Sequence, residues 1–149
     1  MSLLLTLSLG EIRCAIPARE VIRILPRVEV TPLAGTPPFV AGAMNFHGRV
    51  VPVVDLCQIV CDRPSRPVYS TRIVVVNYPQ DHLLGLMAER VTGTCRRSAE
   101  EFEPVQLSRS AWMGDVSSKP EGTIQALRVE NLFSPDVRDL LFSGVPTGE

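Results

Sequence analysis

Hydrophobic and polar positions alternate from the start of the chain. Leu3, Leu5, Leu7 and Leu9 alternate with Leu4, Thr6 and Ser8, the period-two pattern of a half-buried strand. Gly10-Glu11 reads as a turn, and Ile12 to Ile16 as the returning strand of a hairpin. Pro17 suits the first turn of a short helix over Pro17 to Ile22. A proline-spaced loop follows, within which Val28 to Val30 can pair as a short edge strand. Val40 to Phe46 and Arg49 to Val54 are strands joined at His47-Gly48, and Pro52 in the second predicts an edge position or a bulge. Asp55 is placed to N-cap a short helix, Leu56 to Val60.

After a polar, proline-bearing stretch over 61–70 the pattern restarts. Arg72 to Tyr78, His82 to Ala88 and Val91 to Arg96 read as strands, and Ser98 to Glu101 as a capping box. Trp112 to Val116 and Thr123 to Val129 are further strands, with a turn over Ser117 to Gly122. A closing helix is predicted over Pro135 to Phe142, with Ser134 as its N-cap.

The two stretches resemble each other. Ile16-Pro-Ala-Arg-Glu-Val21 lies over Leu86-Met-Ala-Glu-Arg-Val91 at an offset of 70, and Val51 to Leu56 lies over Ile124 to Val129 at an offset of 73. Each second motif is trailed by an apolar pair, Ile59-Val60 and Leu132-Phe133. Nearly equal offsets point to a pseudo-repeat. The expected fold class is therefore mainly β: two five-stranded β-barrel subdomains packed together, with short helices. One domain over 1–149 is expected, with a first subdomain at about 1–62, a linker over 61–70 and a second subdomain at about 71–143.

Composition narrows the function. The 149 residues suit one domain, and 13 prolines argue against long helices. A net charge of -1, scattered Lys and Arg, and only 5% aromatic residues leave neither a basic stripe nor stacking rings for nucleic acid. No apolar run reaches membrane-spanning length, so no direct membrane insertion is expected. The apolar start lacks a basic n-region and a small-residue cleavage site, and a cytoplasmic location is the expectation.

Groups for catalysis do not converge in the sequence. There is no Gly-rich phosphate loop and no G-x-S-x-G elbow. Cys14, Cys57 and Cys95 lie in apolar runs and read as buried thiols. Cys57 and Cys61 have helical i, i+4 spacing, but two ligands do not make a zinc site. The chain is read as no enzyme, with no cofactor and no metal.

The most distinctive stretch runs from Thr31 to Val60. Thr31, Pro38, Phe39, Val40, Gly42, Asn45, Gly48 and the run Val50-Val-Pro-Val-Val-Asp-Leu56 follow one long ordered pattern. It resembles the CheW-like family over nearly the whole chain, the tail beyond Phe142 excepted. The resemblance implies a pair of SH3-like barrels sharing a core and no cofactor. It implies an adaptor in chemosensory signalling that bridges the regulatory domain of a CheA-like histidine kinase and the cytoplasmic tip of chemoreceptors. The alternatives are a divergent protein-binding module of a secondary pathway that no longer couples receptors, and a small-ligand-binding SH3-like module. Self-association through exposed barrel edges is also open.

Partner contacts are expected at Ile22, Arg23, Ile24, Asn45, His47 and Arg49. Two of these depart from the family. The family's N-L-R-G is Asn45-Phe46-His47-Gly48 here, and a neutral histidine lacks arginine's forked charge. His47 is either a contact or a turn residue, and Arg49 is a candidate substitute. Arg23 stands in a region where the family often carries an acidic residue, which predicts a partner with a compensating acidic group. Ile22 and Ile24 either line a groove between the barrels or pack in the core.

Overall fold

The computed structural model describes residues 2–26, 28–66, 68, 70–79, 81–103, 113–119 and 122–142. Its strands are β1 (Ser2–Leu9), β2 (Ile12–Pro17), β3 (Val21–Pro26), β4 (Val40–Phe46), β5 (Arg49–Asp55), β6 (Arg72–Tyr78), β7 (His82–Ala88), β8 (Arg90–Arg97), β9 (Met113–Lys119) and β10 (Gly122–Leu127). The α-helices are α1 (Leu56–Cys61) and α2 (Pro135–Phe142), and 3-10 turns lie at Ala18–Glu20, Ala99–Glu101 and Val129–Asn131. The chain is mainly β, as its sequence predicts.

The strands form two five-stranded sheets, ordered β8-β1-β2-β10-β9 and β3-β6-β7-β5-β4. Each order becomes the other when β1 to β5 are exchanged with β6 to β10. The pseudo-repeat in the sequence is this symmetry. The parallel pair Ala15↔Ala126 in the first sheet is the equivalent of Gly85↔Val53 in the second, and the offsets of 70 and 73 carry one onto the other. The matching outer pairings, β1·β8 and β3·β6, each carry a register shift. These two sheets are the paired SH3-like subdomains expected from the sequence.

Sheet membership crosses the boundary expected at 62–71. The hairpin β1–β2 joins β8, β9 and β10, whereas β3, β4 and β5 join β6 and β7. The chain changes sheet between β2 and β3 through Ala18–Glu20, and again between β7 and β8 at Glu89.

Three apolar clusters follow. On β6, the run Ile73-Val74-Val75-Val76 is fully buried on both faces, which is why it reads as continuous hydrophobics and not as an alternation. Val74 and Val76 meet Leu5, Leu7 and Ile16 of the other sheet in a shared core. Ile73 and Val75 meet Met44, Phe46, Val51 and Val53 in a core belonging to the second sheet alone. Leu4, Ala15 and Ile124 form the smaller counterpart in the first sheet. At the end of the shared core α2 buries Leu141, and Phe142 stacks on Tyr78 at 4.9 Å and on His82 at 4.3 Å.

Several local expectations are met. Asp55 accepts from the Cys57 N–H at 3.0 Å as the N-cap of α1. Glu101 accepts from the Ser98 N–H at 3.0 Å, and the Ser134 hydroxyl accepts from Val137 N–H at 3.3 Å.

Others are corrected. The helix expected over Pro17 to Ile22 is only the three-residue 3-10 turn, and Val21 begins the edge strand β3. Val21, Ile22 and Ile24 are β-branched, and pairing with β6 outweighs the proline's preference for a helix start. Val28 to Val30 forms no strand; the pairing there is one bridge, Thr31↔Ala43. The turn expected over Ser117 to Gly122 is narrower, because β9 runs to Lys119 and β10 starts at Gly122. Trp112 and the tail beyond Phe142 lie outside the described residues.

Pro52 is neither on an edge strand nor at a bulge. It lies on β5, between β4 and β7, opposite Ala43. The Ala43 N–H donates to Thr31 at 2.9 Å and its carbonyl accepts from Thr31 at 2.8 Å. Both backbone groups of Ala43 therefore face away from β5, which makes Ala43–Pro52 a non-hydrogen-bonded pair. The pairing with β7 starts only at Val53. The proline's missing N–H costs nothing in this register.

Candidate partner-docking surface

Strand β3 is one edge of the second sheet. Its register with β6 gives the two faces different environments. Arg23 and Leu25 lie opposite Val75 and Ile73, over the small core of the second sheet. Ile24 lies opposite Val74, on the shared-core face. Ile22 is the extra residue at the register shift between Val21 and Arg23. Ile22 is 45% exposed and Ile24 40% exposed. Core packing is therefore not their role, and Ile24 extends the shared-core face out to solvent. Exposed isoleucines at a sheet edge are an adhesive feature that folded proteins usually cover.

Beside the edge is an open groove of about 820 Å³, lined by Arg23, Leu25, Val28, Met44, His47 and Val50 among others. Its floor is the second sheet, and one wall is the segment bridged to β4 through Thr31. That wall depends on Gly42. Gly42 has φ +145°, and a Cβ there would stand 2.1 Å from the Thr31 carbonyl oxygen. Only glycine allows the 31–32 backbone to approach so closely.

The β4–β5 hairpin lines the same groove. His47 and Gly48 have φ of 52° and 83°, the two positive values of a type I′ turn. The Asn45 side chain accepts from the Gly48 N–H at 3.0 Å and holds that turn. The His47 ring meets the Phe46 ring edge-on at 4.4 Å. The turn explains part of the departure at this position, since histidine tolerates positive φ better than most residues.

Arg23, Asn45 and His47 thus converge on one groove, and Ile22 and Ile24 flank it along the β3 edge. Arg49 is exposed at the start of β5 and does not line the groove. The sequence did not single out Leu25, Val28 or Val50. Val50, 55% exposed, stands in an apolar run whose other members are buried, so hydrophobicity alone could not separate it. Its signal was position, as the first residue of that run after an exposed arginine.

Cys14, Cys57 and Cys61 are poorly suited to chemistry. Burial pushes the Cys14 thiol up to about 12, and burial likewise raises those of Cys57 and Cys61. The Cys61 thiol donates to the Leu9 carbonyl at 3.3 Å. Protonated thiols are neither nucleophiles nor metal ligands. Among the described residues no three His, Cys, Asp or Glu side chains are grouped to hold a metal ion. No helix among them is long and apolar enough to cross a membrane.

Comparison with known proteins gives a consistent result. The model of the CheW-like domain family matches residues 3–136. Protein FrzA of Myxococcus xanthus is 29% identical over 102 residues, 68% of this chain and 63% of that protein. The chemotaxis protein CheW of Helicobacter pylori is 24% identical over 131 residues, 86% of this chain and 79% of that one. The match therefore spans slightly less than two thirds of FrzA. The crystal structure of the scaffolding protein TtCheW from Thermoanaerobacter tengcongensis superposes with a TM-score of 0.83 at 20% identity, covering 91% of this chain and 90% of that one.

Proposed function

The chain belongs to the CheW-like domain family, and on that premise we propose that it is a non-catalytic, cytoplasmic adaptor of chemosensory signalling, coupling a CheA-like histidine kinase to chemoreceptors. The observation that carries the reading is the exposed β3 edge, with Ile22 and Ile24 beside the groove that holds Arg23 and His47. Apolar anchors rimmed by fixed charge are what a specific, reversible protein contact needs. The kinase's regulatory domain docks on this edge and groove, and Arg23 selects a partner with an acidic counterpart. The receptor tip, an amphipathic helical hairpin in the family, meets the same protein on its apolar surface.

A second reading rests on His47 and Arg23 themselves. Both differ from what the resemblance leads one to expect, and both line one groove. A divergent module of a secondary pathway, retaining the fold but binding other partners, fits that concentration of change. Titration against the regulatory domain of a CheA-like kinase from the same organism, with R23E and H47R in parallel, separates the two. Micromolar binding that R23E weakens supports the adaptor with an altered, matched interface. No binding by the native chain, with a gain in H47R, supports the divergent module.

A further inference from the structure

An edge strand offers unpaired backbone groups, which folded proteins cover, guard with charge or use. The two sheets have four edge strands: β8 and β9 in the first, β3 and β4 in the second. Two of these are closed by equivalent bridges. On β4, both backbone groups of Ala43 bond Thr31. On β9, the Val116 N–H donates to the Glu103 carbonyl at 2.9 Å, and the Val116 carbonyl accepts from the Glu103 N–H at 2.8 Å. Offsets of 73 and 72 carry the one bridge onto the other. Among the described residues no such bridge covers β3 or β8.

β3 and β8 are themselves equivalent at the offset of 70, and their register shifts coincide, at Ile22 and at Thr92. Their chemistry differs. Ile22, Arg23 and Ile24 match Thr92, Gly93 and Thr94, and all six residues are exposed. Threonine at the equivalent positions shows that the fold does not demand isoleucine there. β8 also exposes Arg90 and Arg96, the kind of charge that deters strand pairing. β3 exposes its two isoleucines with a single charge between them.

From this asymmetry we propose that β3 takes up an extended segment of another protein as an added strand, with a Glu or Asp of that segment beside Arg23 and apolar residues on either side of it beside Ile24. This rests on the reading of β3 as the docking edge, and it states how the partner is held: by main-chain hydrogen bonds along the edge as well as by side-chain packing. Side chains alternate along a strand. The one opposite Arg23 faces the groove, and its neighbours face the side that Ile24 extends to solvent. The recognised pattern is therefore apolar-acidic-apolar. Among the described residues Arg23 makes no ion pair, and Glu29 lines the same groove without forming one. A second copy of this chain fits poorly, because both open edges, β3 and β8, carry arginine and no acid, and pairing them sets like charges together.

The test is a titration of the full chain with an acetylated peptide, Ser-Thr-Val-Glu-Val-Thr-Ser, followed by the backbone amide resonances and their hydrogen exchange. The expected result is saturable binding, slowed exchange in β3 and not in β8, and at least fivefold weaker binding when the peptide's Glu is replaced by Lys. R23E reverses that preference; the side chain is exposed, so the variant retains the fold. N-methylation of the two Val residues and N-methylation of the Glu and Thr residues give opposite results, because only alternate N–H groups of an added strand point at the edge. No saturable binding, equal loss in both methylated peptides, or an unchanged preference in R23E overturns the proposal. So does protection of β3 that grows with protein concentration alone, the mark of a second copy. The regulatory domain of the CheA-like kinase is titrated separately. Binding of that domain without slowed exchange in β3 overturns strand addition and leaves the adaptor reading standing. Binding of the peptide but not of the domain supports strand addition and removes the kinase as the partner.

Discussion

Arg63 and Glu89 face each other in a forked pair, with guanidinium N–H groups donating to the carboxylate at 2.7 and 3.0 Å. Glu89 is the residue between β7 and β8, where the chain passes from the second sheet to the first. It also accepts from the Gly10 N–H at 3.0 Å and the Arg66 N–H at 2.9 Å. One carboxylate therefore ties the β1–β2 turn, the segment after α1 and the crossing itself.

The Arg63 hydrogen bonds, aided by those from the Arg66 and Gly10 backbone, hold the Glu89 carboxyl down at about 2, against an ordinary value of 4.5. A depressed folded-state value means the stabilisation is fully present above about 4.5 and is lost as pH falls through about 2. Melting temperature measured from pH 6 down to pH 2.5 will fall less steeply in E89Q than in the native chain, because the variant has no such proton to take up. E89Q will also melt lower at pH 7. Equal slopes would remove Glu89 from the acid response.

Gly42→Ala will destabilise the protein by about 2–4 kcal/mol, the scale of a backbone clash combined with strain. Gly35→Ala is the control: its φ is +75° but nothing lies within 4 Å of an added Cβ. That variant incurs only the left-handed penalty, about 1 kcal/mol. Urea unfolding of the two variants separates close approach from conformational strain.

Neither half of the chain will fold alone. A fragment ending at residue 66 has β3, β4 and β5 without β6 and β7, and β1–β2 without β8 to β10. Circular dichroism of fragments 1–66 and 71–149 will show unfolded chains, and mixing them will restore β-sheet signal. A stable isolated half would contradict the interleaved sheets.

Replacing both Ile22 and Ile24 with Ser will leave stability within about 0.5 kcal/mol, since both side chains are exposed. The same double variant will weaken binding to the kinase regulatory domain at least tenfold, about 1.4 kcal/mol. Leu7→Ala, at a fully buried position of the shared core, will cost about 2–5 kcal/mol of stability. Surface plasmon resonance beside thermal melts will show whether the two effects separate.

Much of this is legible in the sequence. Leu5, Leu7 and Leu9 alternate with polar residues because they enter the shared core, but β1 is not half-buried as its period suggests: Leu4 and Thr6 on its other face are buried too. Ile73 to Val76 runs unbroken because both faces of β6 are covered. The repeat was readable for the same reason: equivalent strands occupy equivalent environments, so Ile16 and Leu86, both fully buried, carry similar side chains. Asp55 declared itself as a cap because that chemistry is local. The proposed docking residues were legible only in part, as positions within a family pattern.

What the sequence by itself determined was the period of each strand, the turn at His47-Gly48 and the duplication, all set by neighbours within a few residues or by repetition. Tertiary structure alone decided which strands share a sheet. Hydrogen bonding between strands is the same whichever half supplies them, so no local pattern could reveal that β1–β2 crosses to β8, β9 and β10. The same long-range pairing made β3 a strand where Pro17 suggested a helix, and placed Pro52 where its missing N–H goes unnoticed. It also set Arg23 and His47, twenty-four residues apart in the chain, on one groove, because a groove is made by the folded sheet and not by the segments that line it.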